Sequence, residues 1–177
     1  MDWFILFPTW HPEVMAIHVN AQILRTQLDE FWKEAGISFA EYTARVPPRG
    51  LTVPRQGEWE TELVTFPSTQ LFQEACMAFC QTANSDELEI LLEAIAIDNE
   101  GEVFRDILWE MNCHHDVLID RMQTHPDWRV RIQLIFQLRD ALGERALPIL
   151  LAMLQTERDF NVRNNCESII DYLRDEL

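Results

Sequence analysis

Basic residues are few in this sequence relative to acidic ones. Lys33 is the only lysine, and 14 basic residues face 30 acidic ones, which gives a formal net charge of −16 at pH 7. Neutralising phosphates supplies most of a protein's affinity for DNA or RNA, so this balance disfavours direct binding to nucleic acid. It favours solubility and would steer the chain toward basic partners.

Glycine and tyrosine are also few, with five and two residues respectively among 177. The plentiful residues are Leu, Ala, Glu, Gln and Arg, which favour helices. Hydrophobic residues make up 47% of the chain and charged residues 25%, which favours a globular chain with a sizeable core over a disordered one. The length fits one domain or two small ones.

Long apolar runs are missing as well. None reaches the roughly 20 residues that a membrane-spanning helix needs. The opening segment MDWFILFPTW is apolar, but it lacks a basic region and contains Pro8. It therefore predicts neither a signal peptide nor a membrane span.

Cysteines are too few for a disulfide scaffold, which is usually shorter and richer in cysteine. We therefore expect reduced, largely buried thiols in a cytoplasmic protein. The four cysteines are Cys76, Cys80, Cys113 and Cys166.

Residues 1–68 form the first of two expected regions. Apolar residues recur at three- and four-residue steps and predict a helix from about His11 to Ala35. Pro12 suits its first turn and Gly36 its end. Residues 37–68 predict an irregular loop that packs on the body, either a plain connector or a functional segment. This loop carries Arg45, Arg49 and Arg55.

Residues 69–177 form the second region and predict helix after helix. From Ser85 the chain divides into three similar units, and the next two begin at Cys113 and Gly143. Each has a short apolar helix, a polar turn with acids, a valine with an arginine just after it, and a second apolar helix. A period near 30 residues is typical of solenoids. The equivalent valines are Val103, Val130 and Val162.

The pattern Asp-x-x-Val-Arg occurs twice, as DWRVR from Asp127 and DFNVR from Asp159. Each aspartate is well placed to accept hydrogen bonds from the first free amides of the following helix. The valine then falls on the buried face. The last helix has a single apolar stripe, as the polar-faced end of a repeat array should.

These units resemble HEAT repeats, especially the short bacterial HEAT-like kind also found in phycobilin lyases. ALPILLAML at 146–154 matches the family's first helix, and the two Asp-x-x-Val-Arg segments match its turn and second helix. The resemblance covers residues 85–177. The first unit departs from the pattern, because EGEVFR lacks the aspartate and places Phe104 between the valine and the arginine.

The resemblance implies an all-α fold, a short right-handed α–α superhelix of HEAT or ARM type, preceded by the N-terminal helix and the irregular loop. In this family the arginine after the valine often pairs with a turn carboxylate of a neighbouring unit. We expect that role for Arg131 and Arg163, rather than a grip on a bound anion.

An acidic segment at residues 86–110 is the most informative charge feature, since it holds nine acids against Arg105 alone. It is either a solvated face or a docking surface for a basic protein segment. In HEAT folds the second helices line the concave side, which adds surface positions from the later units. The expected partner-binding residues are Glu93, Asp98, Glu100, Glu102, Asp106, Glu110, Gln133, Gln137, Asn165 and Glu167.

Signals for metal binding and catalysis are weak. CHHD at 113–116 has suitable residue types, but adjacent residues on a helix do not face the same way. Cys76 and Cys80 share a helix face without a nearby histidine and predict core packing. No nucleophile elbow, phosphate-binding loop or dinucleotide fingerprint occurs. We expect no catalytic residue, cofactor or metal.

The leading hypothesis is a non-catalytic module that binds a basic protein. A narrower alternative is an acidic inhibitor, such as an immunity or antidefence protein that blocks a nuclease or another nucleic-acid-binding enzyme. A further alternative, a lyase or isomerase acting on a bilin, rests on the family resemblance alone. A HEAT protein of the DNA-glycosylase type conflicts with the acidity. The aromatic residues that would line a bilin groove are Trp59, Phe104, Trp109 and Trp128.

Overall fold

The computed structural model describes residues 12–44, 67–98 and 103–175. Every regular element in these ranges is helical, which confirms the all-α prediction. No helix in them is both long and apolar enough to cross a membrane. The helices are α1 (Pro12–Ala35), α2 (Phe39–Ala44), α3 (Thr69–Thr82), α4 (Ser85–Ile97), α5 (Val103–Glu110), α6 (His115–Gln123), α7 (Trp128–Leu142), α8 (Leu147–Thr156) and α9 (Phe160–Asp175), with a 3-10 turn at Gly143–Ala146.

The N-terminal helix α1 has the predicted extent and ends at Gly36, whose φ of +67° is readily adopted only by glycine. It packs against α3 and α4. Its apolar stripe is buried there, and this burial holds the N-terminal helix on the body. The buried residues of this stripe are Ala21, Leu24, Leu28, Phe31 and Trp32.

Part of the segment predicted to be irregular is helical. The short helix α2 begins with a capping box, in which the Ser38 hydroxyl accepts from the Glu41 amide (3.2 Å) and the Glu41 carboxylate accepts from the Ser38 amide (2.7 Å). This reciprocal pair satisfies two amides that a helix start leaves free. The rest of the predicted loop, including Arg45, Arg49 and Arg55, lies outside the described residues.

Three consecutive helix pairs correspond in residue range to the three predicted units: α4 with α5, α6 with α7, and α8 with α9. The second helices contact one another in order, α5 against α7 and α7 against α9. Val130 and Val162 are fully buried, as predicted. Val103 is half exposed, so its predicted equivalence is wrong. Phe104 is buried in its place and stacks on Phe72, with ring centroids 4.3 Å apart.

The helix starts of the second and third units have the predicted caps. Asp127 accepts from the amide of Arg129 at 2.8 Å, and Asp159 accepts from that of Asn161 at 2.8 Å. Each bond satisfies an amide that would otherwise have no partner. The repeated aspartate is therefore an architectural residue.

The two repeated arginines differ in what they bind. Arg131 pairs with Glu157 in the turn of the next unit, at 2.7 and 3.2 Å, as predicted. Arg163 has no following unit among the described residues. It donates to the carbonyl of Leu154 at 2.9 Å and to Glu167 at 3.3 Å, so its predicted partner in a neighbouring unit is wrong.

A disulfide joins Cys80, near the end of α3, to Cys113, just before α6. The expectation of four reduced thiols is therefore wrong for these two residues. The fold brings their Cα atoms to 5.6 Å although they are 33 positions apart, a separation that spacing alone does not reveal. Cys76 and Cys166 are free and buried, as expected.

Candidate functional site

Glu93, in the acidic segment, is not an open surface group. Only 7% of it is exposed. Its carboxylate accepts two hydrogen bonds from Arg25 of α1, at 2.5 and 2.8 Å, and a third from the Trp32 indole. A buried carboxylate needs such partners to remain charged. Glu93 therefore attaches α1 to α4 and offers no free charge to a partner.

Other acids of this segment are also bound internally. Glu87 is buried and accepts from the Thr82 hydroxyl at 2.5 Å, and Glu89 forms a two-bond ion pair with Arg121. Asp98 accepts from the amide of Phe104 at 3.0 Å and so caps α5. The segment therefore has fewer outward charges than its sequence indicates. Among its described residues, those that are exposed and form no ion pair are Asp86 and Glu110, while Glu100 and Glu102 lie outside the described residues.

Arg105 brings two of the predicted partner-binding residues together. Its guanidinium donates to Asp106 at 2.9 and 3.0 Å and to Gln133 of α7 at 3.3 Å, and it lies 4.0 Å from Asp140. The arginine is itself buried, with 7% exposed. This cluster ties α5 to α7, and its carboxylates are already partly neutralised.

The remaining predicted positions on the second helices do not join this cluster. Gln137 is buried, so it is not the surface position that helical spacing indicated. The Asn165 amide donates to the carbonyl of Asn161 at 2.8 Å within α9. Glu167 is exposed beside Arg163. Of these three residues, only Glu167 is a charged group at the surface, and it is paired with Arg163.

A polar network around Asp127 was not predicted. This carboxylate is fully buried and accepts from the Thr43 hydroxyl at 3.0 Å and from Arg129 at 2.9 Å. The Arg129 guanidinium lies 3.8 Å from the centre of the Tyr42 ring. These contacts hold α2 against α7, so the cap of α7 also anchors the N-terminal part of the chain.

Burial in this region shifts two pKa values. Burial raises the pKa of Tyr42 to about 12, even though the nearby Arg129 acts in the opposite direction. Burial also lowers the pKa of His125. Its Nδ1 accepts from the amide of Asp127 at 3.1 Å, which requires that nitrogen to be unprotonated. Both shifts follow from packing and internal contacts.

The residues considered for metal or bilin binding are used elsewhere. Cys113 is in the disulfide, and among the described residues no group of three or more His, Cys, Asp or Glu side chains is arranged to hold a metal ion. Trp109 stacks on His115, with centroids 4.6 Å apart, and Arg129 lies 4.7 Å from the Trp128 ring. Phe104 stacks in the core, and Trp59 lies outside the described residues. Each of the three described aromatics thus packs against a different partner.

An open groove of about 450 Å³ separates α6 from α8. Four of its residues follow the i, i+3, i+4, i+7 spacing of a single helical face on α6. The lining is partly apolar and partly acidic, and it contains no basic residue among those described. The lining residues are Asp116, Ile119, Asp120, Gln123, Pro148, Ile149 and Ala152.

Helix α8 supplies the apolar side of this groove. Of its side chains, only those of Leu150 and Met153 are buried, although the helix consists largely of apolar residues. Leu151 on α8 and Val117 on α6 are also exposed. The sequence LPILLAML indicates apolar residues on most sides of this helix. Because the structure covers only part of the helix, some of that apolar surface is exposed.

Comparison with known proteins gives no match: no protein-family model, no curated protein and no solved structure is similar to this chain at a significant level. The resemblance to HEAT repeats therefore stays a prediction that rests on the quoted residues.

Proposed function

We propose that this chain is a non-catalytic protein-interaction module of HEAT-like type that binds a basic protein through an acidic surface. The observation that carries this proposal is an asymmetry in ion pairing. Seven of the ten described arginines are held in ion pairs. The other three and Lys33 are exposed without one, but the described exposed carboxylates that form no ion pair are more numerous, among them Asp86, Glu110, Asp116, Asp120, Glu144 and Asp171. Such a surface attracts basic partners and speeds their association.

The ordered contacts between helix pairs support the HEAT-like part of the proposal. The second helices α5, α7 and α9 contact one another in sequence order, and the Arg131–Glu157 ion pair joins the second pair to the third. We propose that these pairs form a short right-handed superhelix. Stacked helix pairs of this kind commonly serve as extended binding surfaces.

The groups with shifted pKa values support a non-catalytic role. Tyr42 and His125 lie in the network around Asp127, and Glu157 is held by Arg131. Burial raises the pKa of the Cys76 and Cys166 thiols, Cys166 to about 11, which makes them poor nucleophiles. Each shifted group thus has a structural explanation.

A titration with probes of different charge tests the proposal. Lysine- and arginine-rich helical peptides, acidic peptides of equal length, duplex DNA and a free bilin are each titrated into the protein at low and high salt. We expect saturable binding of the basic peptides that weakens as salt rises, because exposed charges are screened. Absence of binding to every basic peptide, or turnover of the bilin, would contradict it.

An acidic inhibitor is a narrower form of the same proposal, in which the basic partner is a nuclease. It adds one measurable consequence: as the salt concentration rises, binding of the nuclease and inhibition of its activity should weaken in parallel. If a basic nuclease binds the protein but keeps its full activity, the inhibitor proposal is contradicted and the interaction-module proposal is not.

A further inference from the structure

We propose that the groove between α6 and α8 receives an amphipathic helix of the basic partner. The apolar side chains of that helix enter the groove, and its lysines or arginines reach Asp116 and Asp120. This inference rests on the proposed function and places its binding site on the first helices of the units, away from the row of second helices.

The apolar part of the groove fits one face of a helix. Ile119 on α6 faces Pro148, Ile149 and Ala152 on α8. A helix laid in a groove presents anchor side chains at i, i+3 or i+4, and i+7. The α6 side of this groove runs from Asp116 to Gln123, about two helical turns, which gives such anchors room.

The charges of the groove select a basic occupant. Asp116 and Asp120 are exposed and one helical turn apart, and neither forms an ion pair with another described residue. A bound acidic segment would bring like charges together, whereas a basic segment would gain two ion pairs at the rim. A second copy of this chain is a poorer occupant because its net charge is also strongly negative.

Two variants remove the two parts of the site separately. The double variant Asp116→Asn with Asp120→Asn removes the charges. Ala152→Phe fills the apolar floor. Asp171→Asn with Asp175→Asn is a matched charge control, since these aspartates are also exposed and four residues apart on α9. Ala141→Phe is the control for the added ring, at an exposed helical alanine of α7 outside the groove lining.

The probe is a fluorescent helical peptide of about 15 residues, roughly four turns, with leucines at i, i+4 and i+7 and lysines beside them. Two further peptides replace either the leucines by serine or the lysines by glutamate. We expect the first peptide to bind, the charge variant to weaken binding about three- to tenfold, as two exposed ion pairs would, and Ala152→Phe to abolish it. Both altered peptides should bind weakly.

Amide chemical shifts of the labelled protein locate the bound peptide, and thermal unfolding shows that each variant is folded. We expect the peptide to shift the amides of Ile119 and Ala152. If the peptide binds but the α9 control weakens binding as much as the groove variants, the groove assignment is wrong and the acidic module stands. If no basic peptide binds, both proposals fail. Dimerisation abolished by Ala152→Phe would assign the groove to a second copy and overturn the proposal.

Discussion

Arg25 on α1 and Glu93 on α4 are joined by two hydrogen bonds of 2.5 and 2.8 Å, although they are 68 positions apart in the chain. The indole of Trp32 donates to the same carboxylate. A residue that sequence analysis assigns to a partner-binding surface thus joins the N-terminal helix α1 to α4. A nearly buried, fully hydrogen-bonded carboxylate is costly to leave without its partner.

Glu93→Ala is therefore expected to destabilise the protein by about 3 kcal/mol, since it leaves the Trp32 indole without its acceptor and Arg25 with only the exposed Asp29. Urea unfolding measures this change. Asp29→Asn is the control, because Asp29 also pairs with Arg25 but its side chain is 66% exposed. The control should change stability by less than about 1 kcal/mol. Equal effects of the two variants would contradict the structural role of Glu93.

The Cys80–Cys113 disulfide predicts a definite thiol count. A thiol reagent should modify two cysteines in the unfolded, unreduced protein and four after reduction. In the folded protein the buried Cys76 and Cys166 should react slowly, since burial raises the pKa of both thiols. Four reactive thiols without a reductant would show that the bond does not form.

The same disulfide should stabilise the fold. Its two cysteines are 33 positions apart, so the loss of chain entropy in the unfolded state predicts about 3–4 kcal/mol. The double variant Cys80→Ser with Cys113→Ser should unfold at lower urea concentration by that amount. Adding a reductant should destabilise the parent protein similarly and leave the double variant unchanged.

The Arg131–Glu157 ion pair predicts a pH dependence. Burial alone would raise the pKa of Glu157, but hydrogen bonds from Arg131 and from the amides of Asp159 and Arg158 lower it below its usual value of 4.5. The unfolded state therefore binds a proton first as the pH falls. The stabilisation is complete above pH 4.5 and is lost as the pH falls through the lower folded pKa.

Arg131→Met should remove this part of the pH dependence. Unfolding free energies of the parent and the variant, measured from pH 6 down to about pH 3, should converge as the pH falls. Arg163→Met is a control, because Arg163 pairs with the exposed Glu167 instead. A constant difference between the parent and Arg131→Met at every pH would contradict an ionic role for the pair.

The two repeated aspartates predict unequal effects. Asp159→Ala removes a helix cap and should destabilise the protein by about 1 kcal/mol. Asp127→Ala also leaves Thr43 and Arg129 without an acceptor in a fully buried place, so we expect about 3 kcal/mol or more. Urea unfolding measures both. Equal losses of unfolding free energy in the two variants would show that the network around Asp127 contributes no stability beyond the helix cap.

The helices were predictable because their signals are local. Apolar spacing located α1, and the Asp-x-x-Val-Arg pattern located the caps at Asp127 and Asp159. The short helix α2 also has a local signal, since Ser38 and Glu41 form a capping box, but the nearby prolines and glycines favour an irregular segment. In the first unit one residue shifts the register, so Phe104 is buried where Val103 was expected.

The candidate site was less predictable because it depends on contacts between distant segments. A run of acids predicts a charged face only if no arginine from elsewhere neutralises it, and no local pattern links Arg25 to Glu93. The disulfide likewise depends on the fold bringing two cysteines together. The groove is defined by the gap between α6 and α8, which neither helix's sequence reveals alone.

The N-terminal helices therefore do more than precede the three helix pairs. Arg25 reaches Glu93 in the first helix pair, and Thr43 reaches Asp127 in the second. Removing residues 1–68 would expose the apolar faces of α3 and α4 and leave two buried carboxylates short of donors. The helices from α3 to α9 are thus not a self-standing unit that can be trimmed at this boundary. A shortened protein must keep the first helix to stay folded.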